Sequence, residues 1–407
     1  MSALSLIVLL AVLASAASNF LTSANPDLAL SFNPLNTQAR VNKLSAHLAR
    51  KLNPTELANL RTITTRGIEL DPMDARLYSL LGVIDEQRGE IDSAQQFYLH
   101  SLKLLPTEIQ ALTRRFAYNV NARKYVDAIS LADIILRRWN SQWNLVAPFM
   151  AGLLQDKAAY QEALIRFSKY EIGKTRLIEA LSNNENSTNT ARRLIKDWHT
   201  QGVANLRPVI NKLTVKLINY NQYLSAYRLF LLTLNDTEKA EAGYIFNSNF
   251  NLKPTGNLFD WQLISQAGMS TQFKKFHSDD ANDEASDNVF EIRFLDAPIR
   301  FSRTLQYLML PPSKFTLKLV YSTLNLKTVK PINLQIICRR SGPALASLSF
   351  ESGNNHKMEG EIRFKVPSTG CKVLLLRFYN DKFVESWKNR YSGSLLIHKV
   401  SISLDGA

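Results

Sequence analysis

The chain has 407 residues, of which 45% are hydrophobic and 21% charged, with only 15 Gly and 14 Pro. These proportions exclude collagen-like, low-complexity and wholly disordered chains, and the length allows two or three domains. Lys and Arg number 49 against 35 Asp and Glu, a formal charge of +14; this surplus is compatible with nucleic acid, anionic lipid or acidic polysaccharide and singles out none of them.

Residues Ala3 to Ala17 form an unbroken run of apolar and small residues ending in the small-x-small pattern Ala14-Ser15-Ala16. The run is short of the roughly 18 to 20 residues a membrane span needs and has the character of a signal-peptide apolar region with its cleavage site. No Lys or Arg precedes Arg40, so either the free amino terminus supplies the usual positive charge or the true start lies upstream. Residues 1–17 are therefore expected as a signal peptide or an N-terminal anchor, 18–40 as a linker, and the protein in the periplasm or cell envelope. A buried first helix is the alternative. Only Cys338 and Cys371 occur; in an exported chain they form one disulfide if their strands are neighbours, and otherwise stand as two reduced core cysteines.

From Val41 to about Leu234 apolar residues recur at three- and four-residue spacing, as in Leu77, Leu80, Leu81, Ile84 and in Ala128, Leu131, Ile134, Ile135, with Gly and Pro sparse. This is helical texture. Pro72 and Pro106 each follow such a run and lie 34 residues apart, a period of stacked helix-turn-helix units. Between them come Tyr78, Leu81, Gly82, Gly89, Ala94, Tyr98, Ser101 and Pro106 in order. On these residues the segment resembles the tetratricopeptide repeat. Asp85 departs from that pattern, standing where the family usually has Tyr. Physically, Gly82, Ala94 and Ser101 allow two antiparallel helices to approach, Gly89 serves the turn and Pro106 stops the second helix. The neighbouring units are degenerate: Gly67 holds the small position upstream, while downstream Phe116 and Arg123 replace the two glycines. A TPR-like solenoid of about four to five helix pairs over 41–234 is expected, since a single pair cannot bury its own apolar face.

Between residues 235 and 257 the helical period fades into Asn-Asp-Thr, Asn-Ser-Asn and Lys-Pro-Thr-Gly-Asn, the chemistry of a linker. Beyond it short β-branched and aromatic runs alternate with turn clusters: 289–294, 303–310, 314–321, 332–338, 346–350, 359–366, 372–379 and 395–404. About eight strands predict an antiparallel β-sandwich of jelly-roll type over 258–407. A helical-repeat half followed by Phe259-Asp260-Trp261, with Leu310-Pro311-Pro312 entering a central strand, resembles the repeat proteins found with bacterial exopolysaccharide synthesis genes, whose C-terminal half is similar to carbohydrate-binding modules. Pro312 stands where a Gly is common. The resemblance implies an envelope protein that assists polysaccharide assembly or export without a reaction of its own.

The segment Tyr379 to Tyr391 carries the best glycan-binding candidates. Sugar C–H faces stack on aromatic rings, and amides, carboxylates and guanidinium groups bind hydroxyls. Trp387, Arg390 and Tyr391 are the expected contacts, with Asn380 and Asp381 secondary; the plain alternative is that Trp387 plugs one end of the sandwich. Trp261 and Phe259 are expected in the core. The acidic run Asp279-Asp280-Ala-Asn-Asp283-Glu284-Ala-Ser-Asp287 has oxygen ligands but neither EF-hand spacing nor its Gly, which favours a solvated loop over Ca²⁺. The six histidines show no zinc spacing, and no metal or cofactor is expected. Gly-x-Ser-x-Gly, Walker and Gly-x-Gly-x-x-Gly motifs are absent, so no enzyme is expected, although a glycosidase needs only two carboxylates that meet in space. The basic pairs Arg114-Arg115, Arg137-Arg138, Arg192-Arg193 and Arg339-Arg340 lack interleaved aromatics, which argues against nucleic acid; the basic surface is compatible with anionic glycan or phospholipid heads, and solvated helix faces would look the same. Three readings follow: a non-catalytic scaffold whose solenoid holds proteins of a polysaccharide system, a carbohydrate-binding protein proper, and a polysaccharide-active enzyme.

Overall fold

The computed structural model describes residues 3–276, 287–339, 344–381 and 386–405, which divide between two compact units, Met1–Ala180 and Leu181–Ala407. The architecture is a helical-repeat region followed by an antiparallel β-sandwich.

The first unit begins with α1 (Ala3–Leu21), α2 (Pro26–Phe32) and α3 (Thr37–Leu48). Along α1, Ile7, Val8, Leu9, Leu10, Val12 and Leu13 are all exposed, yet among the described residues no helix is long and apolar enough to cross a membrane. The far end of α1 is tied down by a polar knot. The Ser18 hydroxyl donates to the Ala29 carbonyl at 2.7 Å, and Asn36 Nδ2 donates to both Ser18 Oγ and Thr22 Oγ1 at 2.9 Å. All three residues are buried. The stretch 18–40, expected as a linker, is thus largely helical, with Asn25 and Asn36 capping α2 and α3.

Next come α4 (Pro54–Leu70), α5 (Ala75–Gln87), α6 (Ile91–Leu104), α7 (Ile109–Asn121), α8 (Tyr125–Arg138), α9 (Ala147–Leu153), α10 (Lys157–Phe167) and α11 (Glu171–Ser182), the division between units falling within α11. Pro54 opens α4 behind a capping box in which the side chains of Asn53 and Glu56 each accept from the other's backbone N–H. The step from Ala75 to Ile109 and from Ile91 to Tyr125 is 34 residues in each case, so α5/α6 and α7/α8 are successive copies of one unit. A Cβ on Gly82 would lie 2.5 Å from the Tyr98 ring, and Ala94, Tyr98 and Ser101 are fully buried between the helices. Tyr78 is only half-buried, and its ring lies against His100. Asp85 is fully buried where the repeat pattern has an aromatic; it accepts from Arg61 at 3.0 Å and Ser93 at 2.6 Å, so an ion pair replaces the ring. Gly89 turns the chain with φ of 83°, and Arg123 adopts the same left-handed conformation at 57°. Both turns close with the same long-range bond, Glu90 N–H to Asp85 O and Lys124 N–H to Asn119 O. Backbone geometry therefore repeats where the sequence has lost its glycine.

The second unit carries α12 (Thr188–Thr200), α13 (Arg207–Asn219), α14 (Tyr223–Leu232) and the short α15 (Asp236–Ala240). The α13/α14 turn repeats the pattern of the first unit, with Asn221 at φ 61° and Gln222 N–H bonded to Leu217 O. The sandwich follows: β1 (Met269–Phe276), β2 (Asp287–Ala297), β3 (Ser302–Leu308), β4 (Lys314–Lys327), β5 (Ile332–Cys338), β6 (Ala346–Ser349), β7 (Gly353–Lys365), β8 (Leu374–Asn380) and β9 (Tyr391–Leu404). One sheet runs β1-β2-β9-β4-β7 and the other β3-β8-β5-β6, every pairing antiparallel. Phe290, Phe315, Leu334, Leu376, Phe378 and Ile397 from both sheets share one core.

The segment 235–257 is more than a linker. Ile245 and Phe250 belong to the sandwich core, Phe259 packs on Tyr227 and Phe230 of α14, and Trp261 Nε1 donates to Asn247 O at 3.0 Å. Phe259 and Trp261 are core residues, as expected. Asp260 between them is fully buried; burial pushes its carboxyl pKa up, while the Thr255 and Trp261 N–H groups that it accepts at 2.5 and 2.6 Å work against that rise. Cys338 and Cys371 form a disulfide with Cα atoms 5.3 Å apart, which β5 and β8 make possible by pairing Cys338 with Leu374.

Candidate functional site

The end of the sandwich where β8 leads towards β9 gathers the residues expected to bind glycan. After Asn380 the chain leaves β8, and Lys382 to Glu385 lie outside the described residues, as do 279–286 of the acidic run. From Ser386 it makes a tight turn closed by Asn389 N–H on Ser386 O at 2.9 Å, which lifts Trp387 outward. Trp387 is 68% exposed, so it does not plug the sandwich. The Arg390 guanidinium lies 4.9 Å over its ring, with Nε donating to the Trp387 carbonyl at 2.7 Å. Arg390 Nη1 reaches Asp296 Oδ2 at 2.8 Å. Asp296 sits at the irregularity between Leu295 and Ala297 in β2, with φ of 53°, and that bulge is what turns its carboxylate toward Arg390. Sequence reasoning did not find Asp296, because a one-residue bulge leaves no mark in an alternating pattern.

The other three residues behave differently. Tyr391 is 0% exposed; its hydroxyl donates to the Lys330 carbonyl at 3.0 Å and accepts from the Lys330 N–H at 3.1 Å. Burial pushes its phenol pKa up. Expected as a stacking contact, it is instead an inward residue at the start of β9 that pins the chain before β5. Asn380, 7% exposed, accepts from Phe301 N–H at 3.0 Å and donates to Ile299 O at 2.7 Å, so it braces backbone and offers little to a ligand. Asp381 is exposed at the edge of the described segment. What remains at the surface is a platform of Trp387 and Arg390 steadied by Asp296: an apolar face with a cation above it, suited to a ring that carries hydroxyl or acidic groups.

On the outward side of the second sheet, Arg377 lies 5.2 Å over the Tyr379 ring and donates through Nε and Nη2 to Gln335 Oε1 at 2.9 and 2.6 Å. Among the described residues no three His, Cys, Asp or Glu side chains gather where a metal ion would sit.

No protein-family model matches the chain, and no curated protein matches it. Parts of the chain are similar to solved structures at low identity. A CBM4 structure is 16% identical, covering 40% of this chain and 99% of that one with a TM-score of 0.26. PilF of Pseudomonas aeruginosa is 14% identical, covering 48% of this chain and 89% of its own with a TM-score of 0.28. Yeast Tom70 is 14% identical, covering 50% of this chain and 44% of its own with a TM-score of 0.27.

Proposed function

We propose that the chain is a non-catalytic adaptor of the cell envelope, exported or anchored through its N-terminal segment, which assists polysaccharide assembly or export. Its stacked helix pairs hold protein partners and its β-sandwich docks glycan. The observation that carries the reading is Trp387, an aromatic ring left largely in solvent beneath the Arg390 guanidinium, where a structural role would have buried it. The helix pairs add support, since repeat stacks offer extended binding surfaces and Met73, Leu145, Phe149 and Ile165 stand exposed on the first unit.

The test is affinity electrophoresis of the full chain, wild type and Trp387→Ala, in gels containing acidic or neutral bacterial polysaccharides. Retardation by at least one polysaccharide is expected, weakened about tenfold in the variant, the ~1.4 kcal/mol of one aromatic stacking contact. Migration unaffected by every polysaccharide overturns the glycan-docking reading.

A further inference from the structure

A second surface in the Leu181–Ala407 unit has the makings of a ligand site. A cleft of about 790 Å³ opens between the first turn of α14 and two loops of the sandwich, 309–312 and 367–372. That volume falls within the roughly 300 to 1,000 Å³ of ligand pockets. Leu224, Met309 and Pro312 give it apolar walls, and Gln222, Thr369 and Lys372 add amide, hydroxyl and ammonium groups. A smaller recess of about 230 Å³ shares Tyr223, Gly370 and Lys372 with the cleft and adds Arg339.

The charges are one-sided. Among the described residues no Asp or Glu lines either space. Arg192 stands behind the wall, donating from Nη1 to Ser225 Oγ at 2.7 Å and from Nη2 to Asn189 Oδ1 at 2.6 Å, while its buried Nε has no hydrogen-bond partner among the described residues. Arg339 donates to the Ile218 carbonyl and to Asn219 Oδ1 at 3.1 Å each. Neither arginine nor Lys372 takes part in an ion pair among the described residues. One carboxylate, Glu185, touches a lining residue, accepting from Gln222 Nε2 at 3.4 Å. Three cations that form no ion pair among the described residues, around a hydroxyl- and amide-lined cleft, call for an anionic ligand rich in hydroxyls. The cleft is walled by a helix turn and loops and none of its lining residues lies in a strand, so it has no sheet edge for an extended peptide to join.

Building on the glycan-docking reading above, we propose that this cleft binds an acidic oligosaccharide, its carboxylates facing Lys372 and Arg339 and its sugar faces resting on Leu224, Met309 and Pro312. Isothermal titration of the full chain with a hexagalacturonate, with its carboxyl-reduced neutral counterpart and with hexaglutamate tests this. Two variants at exposed positions probe the cleft: Lys372→Glu, and Leu224→Asp, whose new carboxylate suits the start of a helix while repelling an anion. The expected result is binding of the acidic sugar alone, weakened at least tenfold in either cleft variant and by added salt. Unchanged affinity in both cleft variants together with loss in Trp387→Ala overturns the cleft assignment and leaves the glycan reading standing. Equal binding of the neutral sugar, or preference for hexaglutamate, overturns the ligand class. Failure to bind any of the three overturns the cleft proposal, whereas the glycan reading falls only if polysaccharide gels also fail to retard the chain.

Discussion

Gly82 is where the helix-pair reading is most open to challenge. An added Cβ would stand 2.5, 2.7 and 2.9 Å from Cε1, Cδ1 and Cζ of Tyr98, well inside the 3.4 Å at which ordinary contact begins. The ring has nowhere to go, for Tyr98 is fully buried and its hydroxyl donates to Glu86 at 2.6 Å. In Gly82→Ala, α5 and α6 must therefore part by something on the order of 1 Å, and overpacking of this kind costs about 1–3 kcal/mol. The substitution also gains about 1 kcal/mol of helix propensity, so a single variant would mix two opposed effects. Gly152 separates them: it lies in α9 with nothing within 4 Å of its would-be Cβ. Gly152→Ala takes the propensity gain without the clash. Gly82→Ala is expected to be less stable than Gly152→Ala by about 1–3 kcal/mol in equilibrium urea unfolding, and adding Tyr98→Leu to Gly82→Ala is expected to recover part of the difference. Equal stabilities for the two alanine variants, or strict additivity with Tyr98→Leu, would refute close helix approach as the reason for glycine here.

Three further outcomes are expected. The Cys338–Cys371 disulfide spans 33 residues, and loop-closure entropy for that length is about 4 kcal/mol; the Cys338→Ser/Cys371→Ser variant should unfold at correspondingly lower urea and lose the wild type's response to reductant. Burial pushes the Glu291 carboxyl pKa up, but bonds from Lys274 at 2.8 Å, Gln272 at 2.7 Å and Ser394 at 3.0 Å outweigh it and hold the group below the usual carboxylate range. The unfolded chain then takes up the proton first as pH falls, so this stabilisation is complete above roughly pH 4.3, the ordinary Glu value, and is lost below it; the gap in urea stability between wild type and Glu291→Gln should be open at pH 7 and close in strong acid. Asp85→Ala strands Arg61 and Ser93 beside a buried void and is expected to cost about 2–4 kcal/mol in thermal or urea unfolding, against near-neutrality for the exposed Asp236→Ala.

The helix pairs were legible because their constraints are local: a small residue opposite an aromatic, a turn glycine and a terminal proline recur at fixed steps. Strands β4, β5 and β8 were legible through apolar runs bounded by turn residues. Strand β1 was not, since in Met269–Phe276 the adjacent Lys274 and Lys275 interrupt the alternation, and an edge strand needs only one well-packed face. The stretch 235–257 misled for a more instructive reason. Asn247 holds the left-handed region at φ 53° and closes its own turn with Leu252, donating to its carbonyl and accepting from its N–H. Such turn chemistry reads as solvent-facing, yet here it folds Ile245, Phe246 and Phe250 into buried positions. At the Trp387–Arg390 platform, composition alone marked these two residues. It could not tell them from Tyr391, because the side of β9 on which a residue falls depends on the register with β2 and β4. The cleft beside α14 draws on four stretches of chain separated by dozens of residues and has no sequence signature at all.

The polar knot formed by Ser18, Thr22 and Asn36 bears on the proposal that the chain is exported through its leading segment. Every one of its donors and acceptors lies after the small-x-small pattern Ala14-Ser15-Ala16, and so does its outside partner, the Ala29 carbonyl. A peptidase that cut after Ala16 would remove the greasy part of α1 and leave the knot whole. The trimmed protein would begin one residue ahead of a ready-made clasp, so a cut at this point would leave the first two helices of the remaining fold already fastened together.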